Sequence, residues 1–394
     1  MNNSEFIVNK RKRLGLTVKE FADAIGLPKD GSKMLKSWEQ GQSEVSEEYL
    51  ELIMKFPEDT PFKNGDIEDA RFKFIDLFAG IGGIRIPFGE LGGHCLFSSE
   101  WDKFARKTYR INFGEEPDER DIATVPLNEI PSHDILLGGF PCQPFSQAGL
   151  KLGFEDTRGT LFFNVAQIIS DKRPAAFLLE NVKQLRGHDK GRTLQVILNT
   201  LRNDLNYTVH VKVLAAKEFG VPQNRERIFI VGFDNERGGE IAPFEFPVPT
   251  NELTRVGDIL ECNPNPKYTI SDKLYAGHLK RKEMHKEKGN GFGFSLFDEN
   301  SSYTNTISAR YYKDGSEILI NQGATKNPRK LTPRECARLQ GYPEKYIIPV
   351  SDSQAYKQFG NSVTVPVIRA IAQEMMYALE YMGIYNEKKE TIEV

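Results

Sequence analysis

Between residue 72 and about residue 234, short apolar runs alternate with amphipathic stretches, and no other feature narrows the fold as much. Strands are expected over residues 74–78, 95–98, 135–138, 176–179 and 228–233. Between them, Leu161, Val165, Ile168 and Ile169 recur at helical spacing, as do Leu194, Ile197, Leu198, Leu201 and Leu205. Strands that are apolar throughout and separated by helices predict an α/β fold, a mostly parallel sheet with helices on both faces.

The rest of the chain divides around that core. Residues 1–56 carry short helical patterns and no convincing strand, and predict a small all-α domain. Residues 57–71 are polar and proline-bearing and read as a linker. Residues 72–238 form the sheet domain. Residues 239–341, rich in proline, glycine, lysine and tyrosine, predict a smaller irregular domain, and residues 342–394 return to the sheet domain through a helix from 366 to about 382. The 394 residues carry a formal net charge of −3, so any surface for nucleic acid must be local. Four scattered cysteines form no CxxC pair, which suggests neither a zinc site nor a disulfide framework. The start of the chain lacks the layout of a signal peptide, no apolar run approaches bilayer length, and the expected location is cytoplasmic.

The first strand runs into Asp76-Leu77-Phe78-Ala79-Gly80-Ile81-Gly82-Gly83, a glycine turn that lets backbone approach a ligand at a helix start. A dinucleotide fingerprint wants a third glycine where Arg85 stands, which argues against a pyrophosphate cofactor. About 20 residues on, the next strand ends in Glu100-Trp101. The carboxylate is placed for both ribose hydroxyls, Trp101 for stacking on adenine, and Asp121-Ile122 for its amino group. A bare strand-turn-helix joint would look the same locally, but Glu100 and Asp121 following in order favour a nucleoside cofactor such as S-adenosylmethionine.

The third strand leads into Gly139-Phe140-Pro141-Cys142-Gln143-Pro144-Phe145-Ser146, which puts a thiol where such sheets bind ligands. Most cysteines are small buried hydrophobes. The flanking prolines and the polar run after Ser146 suggest instead an ordered thiol beside a lid over residues 146–159. Glu180 follows the apolar run 176–179 on the same rim, with Asn181 able to orient its backbone. Arg225 and Arg227 alternate at a strand start and are expected on opposite faces, one at the site and the other at a phosphate or bracing a loop. A thiol, an acid and cations suit covalent chemistry on a nucleobase, because cytosine C5 becomes nucleophilic only after a thiol adds at C6. That atom is out of reach inside a stacked duplex, so the base must be extruded.

Taken in order, the blocks at residues 74–83, 139–146, 155–163, 177–182, 221–233 and 358–363 resemble the motifs of the DNA (cytosine-5) methyltransferases. The resemblance runs from about Phe72 onward and implies a Rossmann-like S-adenosylmethionine-dependent methyltransferase of a type II restriction–modification system. It implies Cys142 as the nucleophile, Glu180 at N3 and Arg225 in the centre, with Gln223 and Arg227 supporting. It also implies Phe78, Gly80, Gly82, Glu100, Trp101, Asp121, Pro141, Leu161, Asn361 and Val363 as cofactor residues. Ser146, Gln147 and Arg158 on the lid are expected to meet DNA.

In the irregular region, residues 267–288 hold seven cations against three carboxylates, a local phosphate-binding surface or a solvated helix face. Lys288, Asn290 and Phe292, then Thr306, Arg310, Tyr311 and Lys313, lie in two segments that resemble recognition regions for CCNGG or CCWGG sites, methylated at the inner cytosine. Arg310 suits bidentate reading of guanine. The enzyme is expected to act as a monomer on duplex DNA.

Near the amino terminus, Thr17 and Glu20 form a capping-box pattern, Gly26 ends that helix, and a second helix from 32 to about 40 carries Lys33, Lys36 and Ser37. This pair resembles a repressor-type helix-turn-helix, with Lys10-Arg11-Lys12-Arg13 as its cation cluster, and suggests operator binding at the enzyme's own promoter. A helical packing or dimerisation unit is the plainer reading. Two other classes share most of these features, a tRNA cytosine-5 methyltransferase and a non-catalytic DNA-binding regulator.

Overall fold

The computed structural model describes residues 2–28, 30–141, 161–250, 252–289 and 293–384. The chain opens with four helices, α1 (Asn3–Arg13), α2 (Val18–Ala24), α3 (Gly31–Glu39) and α4 (Glu47–Lys55). Thr17 and Glu20 close the capping box: the Thr17 N–H donates to Glu20 Oε2 at 2.6 Å and the Glu20 N–H donates to Thr17 Oγ1 at 3.2 Å. Ile7, Phe21, Leu35, Trp38 and Ile53 fill the space between the helices, joined by Ile111 and Ile347 from the body of the protein. The polar stretch that follows is fastened rather than free, since Asn64 Nδ2 donates to the Cys95 carbonyl and to Glu115.

Six strands make the central sheet: β1 (Phe72–Leu77), β2 (Gly93–Ser99), β3 (Ile135–Gly138), β4 (Ala176–Val182), β5 (Tyr207–Ala215) and β6 (Glu226–Asp234), in the order β2-β1-β3-β4-β6-β5. The first four run parallel, and β6 and β5 pair antiparallel at one side. Because successive side chains face opposite ways, one strand serves two cores. Phe74, Leu137, Leu178 and Val231 face one core, and Ile75, Leu136, Leu179 and Ile230 the other. The second core is covered by α7 (Leu161–Lys172), by α8 (Arg192–Asn199) and by the wider turn Thr200–Asp204 that continues it. This is a mixed α/β architecture with a mostly parallel central sheet.

Crossovers α5 (Arg85–Glu90) and α6 (Lys103–Phe113) follow β1 and β2. The region after β6 consists largely of single turns around α9 (Asp272–Glu287) and a short parallel pair, β7 (Leu296–Phe297) with β8 (Leu319–Ile320). The chain then forms α10 (Pro333–Leu339), α11 (Asp352–Asn361) and α12 (Val365–Tyr381). Val367, Ile368, Ile371 and Met375 of α12 pack on the first face of the sheet beside Phe88 of α5.

Candidate active site

The carboxyl ends of β1 to β4 open into a cavity of about 880 Å³. Its floor is the glycine turn. Phe78 (φ 56°) and Gly80 (φ 55°) both adopt the left-handed region, a strained choice for Phe78 that turns the chain sharply away from β1. A Cβ on Gly80 would meet nothing nearer than 3.9 Å, so this glycine leaves its side of the cavity open. The next two glycines serve packing instead. A Cβ on Gly82 would strike the Phe113 ring at 2.1 Å, and one on Gly83 would strike the Tyr342 hydroxyl at 2.5 Å. Gly82 therefore stands behind the wall, while the other ten cofactor candidates, Phe78, Gly80, Glu100, Trp101, Asp121, Ile122, Pro141, Leu161, Asn361 and Val363, line the cavity.

Glu100 directly follows β2 with its carboxylate over the turn. Oε2 accepts from the Gly80 N–H at 2.8 Å and Oε1 from the Asp102 N–H at 2.8 Å. Burial raises its pKa despite these bonds. A carboxylate has about four acceptor positions, so both oxygens can take a further donor. Asp121 Oδ1 accepts from the Ala123 N–H at 3.0 Å, and Trp101 stands 76% exposed at the rim. Arg85 is 1% exposed, with its guanidinium bonded to Tyr109, Glu115 and Asn64 and 4.5 Å from the centre of the Phe113 ring. It occupies inward space that a glycine would leave clear. Two acidic acceptors, exposed aromatic surface and an open glycine turn fit a nucleoside carrying hydroxyl and amino donors.

On the opposite wall Glu180 lies within β4, and Arg227, whose neighbour in β6 register is Val182, holds Glu180 Oε1 from Nε at 3.0 Å. Burial pushes the Glu180 pKa up, opposed by the charges of Arg227 and Arg225. Arg225 also lines the cavity, so the two arginines face the same way rather than apart as expected. The reason is their spacing, since side chains two positions apart on an extended chain point to the same side. Its guanidinium donates to the carbonyls of Ile307 (3.0 Å), Gly360 (3.2 Å) and Ser362. Gln223 is wholly buried away from the cavity, donating to Leu339 and Gln340 while accepting from the Ile307 N–H, so it braces the arginine segment from behind.

Cys142 lies outside the described residues, as do Ser146, Gln147, Arg158, Asn290 and Phe292. The approach to Cys142 is described, however: Gly139, Phe140 and Pro141 line the cavity, and Asn181 Nδ2 donates to the Phe140 carbonyl at 2.9 Å. Gln354, Lys357 and Gln358 of α11 complete the wall, with Lys357 Nζ 3.3 Å from Asp102. Gln358 opens the 358–363 block, whereas Gln354 and Lys357 carry no signal in the sequence, where α11 does not stand out.

The DNA-facing expectations divide. Lys288, Arg310 and Lys313 are exposed. Tyr311 is not: its side chain is fully buried, donating to the Ile318 carbonyl and accepting from the Leu331 N–H. Thr306 spends its hydroxyl on the Asn224 carbonyl at 2.6 Å. Within the basic stretch, Arg281 pairs with Asp314 at 3.0 Å and Lys267 with Asp352 at 2.9 Å, while Lys273, Lys280 and Lys286 stay exposed on α9. On α3, Lys33 and Lys36 point outward, and Ser37 Oγ lies 2.8 Å from Ser43 Oγ. The Lys10–Arg13 cluster is largely spent on structure. Lys10 is buried against Glu58 and the Met54 carbonyl, Arg11 pairs with Glu39, and Arg13 with Glu58.

The fold is that of the Rossmann-like methyltransferases, and sequence comparison narrows the class. The model of C-5 cytosine-specific DNA methylases matches residues 72–377, so the chain belongs to that family and is a DNA (cytosine-5)-methyltransferase using S-adenosylmethionine. Among its relatives are type II methyltransferases. M1.ScrFI of Lactococcus lactis subsp. cremoris is 58% identical over 96% of this chain and 96% of its own. M.SsoII of Shigella sonnei is 57% identical over 96% and 99%. M.NlaX of Neisseria lactamica is 61% identical and covered to 97%, yet matches 78% of this chain. In solved structures the fold recurs in a DNMT2 mutant of Spodoptera frugiperda, with TM-score 0.64, 21% identity, and coverage of 77% of this chain and 99% of that one. Among the described residues no helix is long and apolar enough to cross a membrane.

Proposed function

We propose that the cavity takes an extruded cytosine from duplex DNA between Glu180 and the Cys142 segment, with S-adenosylmethionine bound across the glycine turn. The observation that carries this reading is the Glu180–Arg227 pair in the same cavity as Gly80, Glu100 and Pro141. When bound, S-adenosylmethionine supplies an electrophilic methyl group. Glu100 takes its ribose hydroxyls, Trp101 and Phe78 cover its adenine, Asp121 and Ile122 receive the amino edge, and Leu161, Asn361 and Val363 complete the pocket.

Cys142 adds through sulfur to C6 of the cytosine while the Glu180 carboxyl gives its proton to N3, so C5 gains the electron density to accept a methyl group. A water molecule then takes the C5 proton. The freed electron pair forms the C5–C6 double bond as the C6–S bond breaks and the thiolate leaves, and N3 returns its proton to Glu180. Arg227 orients Glu180. Arg225 fixes the carbonyls of the recognition segment and of the cofactor wall, and Gln223 supports it. The loop after Cys142, with Ser146, Gln147 and Arg158, closes over the base as a lid.

Residues 239–341 form the target-recognition domain in this reading. Exposed Arg310 reads guanine, and Lys288, Lys313 and the cations of α9 hold phosphates. The site is of the CCNGG or CCWGG type, modified at the inner cytosine, which protects DNA from a cognate nuclease. The first 56 residues form a helix-turn-helix domain that represses the enzyme's own operon, a reading favoured by the Thr17–Glu20 capping box ahead of α3 with exposed Lys33 and Lys36.

Bisulfite sequencing of DNA from cells making the protein tests the site and the modified base together. Methylated cytosines confined to one short motif, and lost with Cys142→Ala, are expected; methyl transfer to tRNA but not to duplex DNA sinks the reading. A footprint over the enzyme's own promoter that vanishes with Lys33→Ala and Lys36→Ala is expected for the amino-terminal domain.

A further inference from the structure

Helix α6 belongs to two regions at once. At its start, Asp102, Lys103 and Ala105 line the cofactor cavity, and the Asp102 N–H donates to Glu100. One turn on, Lys107 Nζ stands 3.2 Å from Glu20 Oε1, with Arg110 at 3.9 Å. Glu20 is only 6% exposed, and its other oxygen closes the capping box of α2. At the far end, Ile111 is buried in the core of the amino-terminal helices together with Ile347. Asn112 clamps the Ile347 backbone in both directions at 2.8 Å. Thr108, on the same helix, donates at 3.1 Å to Gln358, which lines the cavity.

These contacts leave α6 little freedom to move independently of either neighbour. We propose that Glu20 is a positioning residue for the cofactor site: by holding Lys107 it fixes α6 and the Glu100–Asp102 rim, so docking of the amino-terminal helices and binding of S-adenosylmethionine reinforce each other. Such coupling is reciprocal, so whatever affinity the docked helices add at the cavity, the cofactor returns as firmer docking. The proposal rests on the cofactor reading of the cavity. It also gives the amino-terminal helices a part in methylation that is independent of any DNA they bind.

The test uses the full-length protein without DNA. Glu20→Gln keeps the capping box, since glutamine serves at that position, and removes the charge. Lys107→Met removes the partner and leaves the amino-terminal helices untouched. Cofactor affinity is measured by calorimetry, and hydrogen exchange of the α2 amides is followed with and without S-adenosylmethionine. Each variant is expected to bind the cofactor about fivefold more weakly, and the double variant no more weakly than either alone. In the wild type the cofactor is expected to slow exchange in α2, none of whose residues lines the cavity, and in the variants that protection is lost. Should Glu20→Gln loosen α2 by itself, Lys107→Met decides. Variant affinities within twofold of wild type overturn the proposal. A wild type that fails to bind S-adenosylmethionine overturns the cofactor reading and this inference with it.

Discussion

Arg227 Nε stands 3.0 Å from Glu180 Oε1, both side chains less than one-fifth exposed, at the point where β4 and β6 run antiparallel. Each charge is tolerated there because the other is present. Removing one partner of such a pair leaves an uncompensated charge, at a cost of about 3 kcal/mol or more. Arg227→Met is therefore expected to lose that much stability by urea titration. Adding Glu180→Gln in the same chain should recover most of the loss, although neither variant methylates DNA at the wild-type rate.

Burial raises the Glu180 pKa above the ordinary glutamate value. A raised acid keeps its proton to higher pH, so a step in which Glu180 donates loses rate as pH rises through that value. Single-turnover methylation followed against pH is expected to show this alkaline limb. In Glu180→Gln the limb disappears and the rate falls by about 10²- to 10⁴-fold.

Asn181 holds the segment leading to Cys142 through a bond from Nδ2 to the Phe140 carbonyl at 2.9 Å. Asn181→Ala frees that carbonyl two residues before Cys142. The methyl-transfer rate is expected to fall by about two orders of magnitude, as for small displacements of a reacting group, with cofactor affinity by calorimetry unchanged.

Arg310 and its neighbour Tyr311 separate reading from scaffolding. Arg310→Ala is expected to relax selection at one guanine by about 1–3 kcal/mol, seen as methylation of sites substituted at that base. Tyr311→Phe removes a hydroxyl that both donates to Ile318 and accepts from Leu331, so thermal stability should drop by about 1 kcal/mol while site preference holds.

The apolar strands β1, β3 and β4 were legible because both faces are buried and the run itself is the signal. β5 was not: Thr208, His210 and Lys212 interrupt it, as befits the sheet edge. The glycine turn, Glu100 and Glu180 could be found from their places at strand ends, since a parallel sheet brings every carboxyl end to one rim. The partners that hold them could not. Asp102 with Lys357 and Thr108 with Gln358 join residues 255 and 250 positions apart, and no local pattern announces such a pair. Tyr311 and Thr306 bond inward although turn segments rich in polar side chains look exposed. Their hydroxyls are internal fasteners that replace the backbone ladder missing from this irregular region. The Lys10–Arg13 run misled in the same way, since sequence shows the cations but not Glu39 and Glu58 across from them.

The cover that α12 places on one face of the sheet bears on how the protein is made. Arg71, just before β1, pairs with Glu380 of α12 across 309 positions of sequence. At typical synthesis rates those residues take on the order of half a minute to emerge, and until then Phe74, Leu137 and Leu178 lack the part of their cover that α12 supplies. Long-range closure of this kind folds slowly and late. A chain cut before residue 365 is therefore expected to precipitate or be held by chaperones rather than methylate weakly.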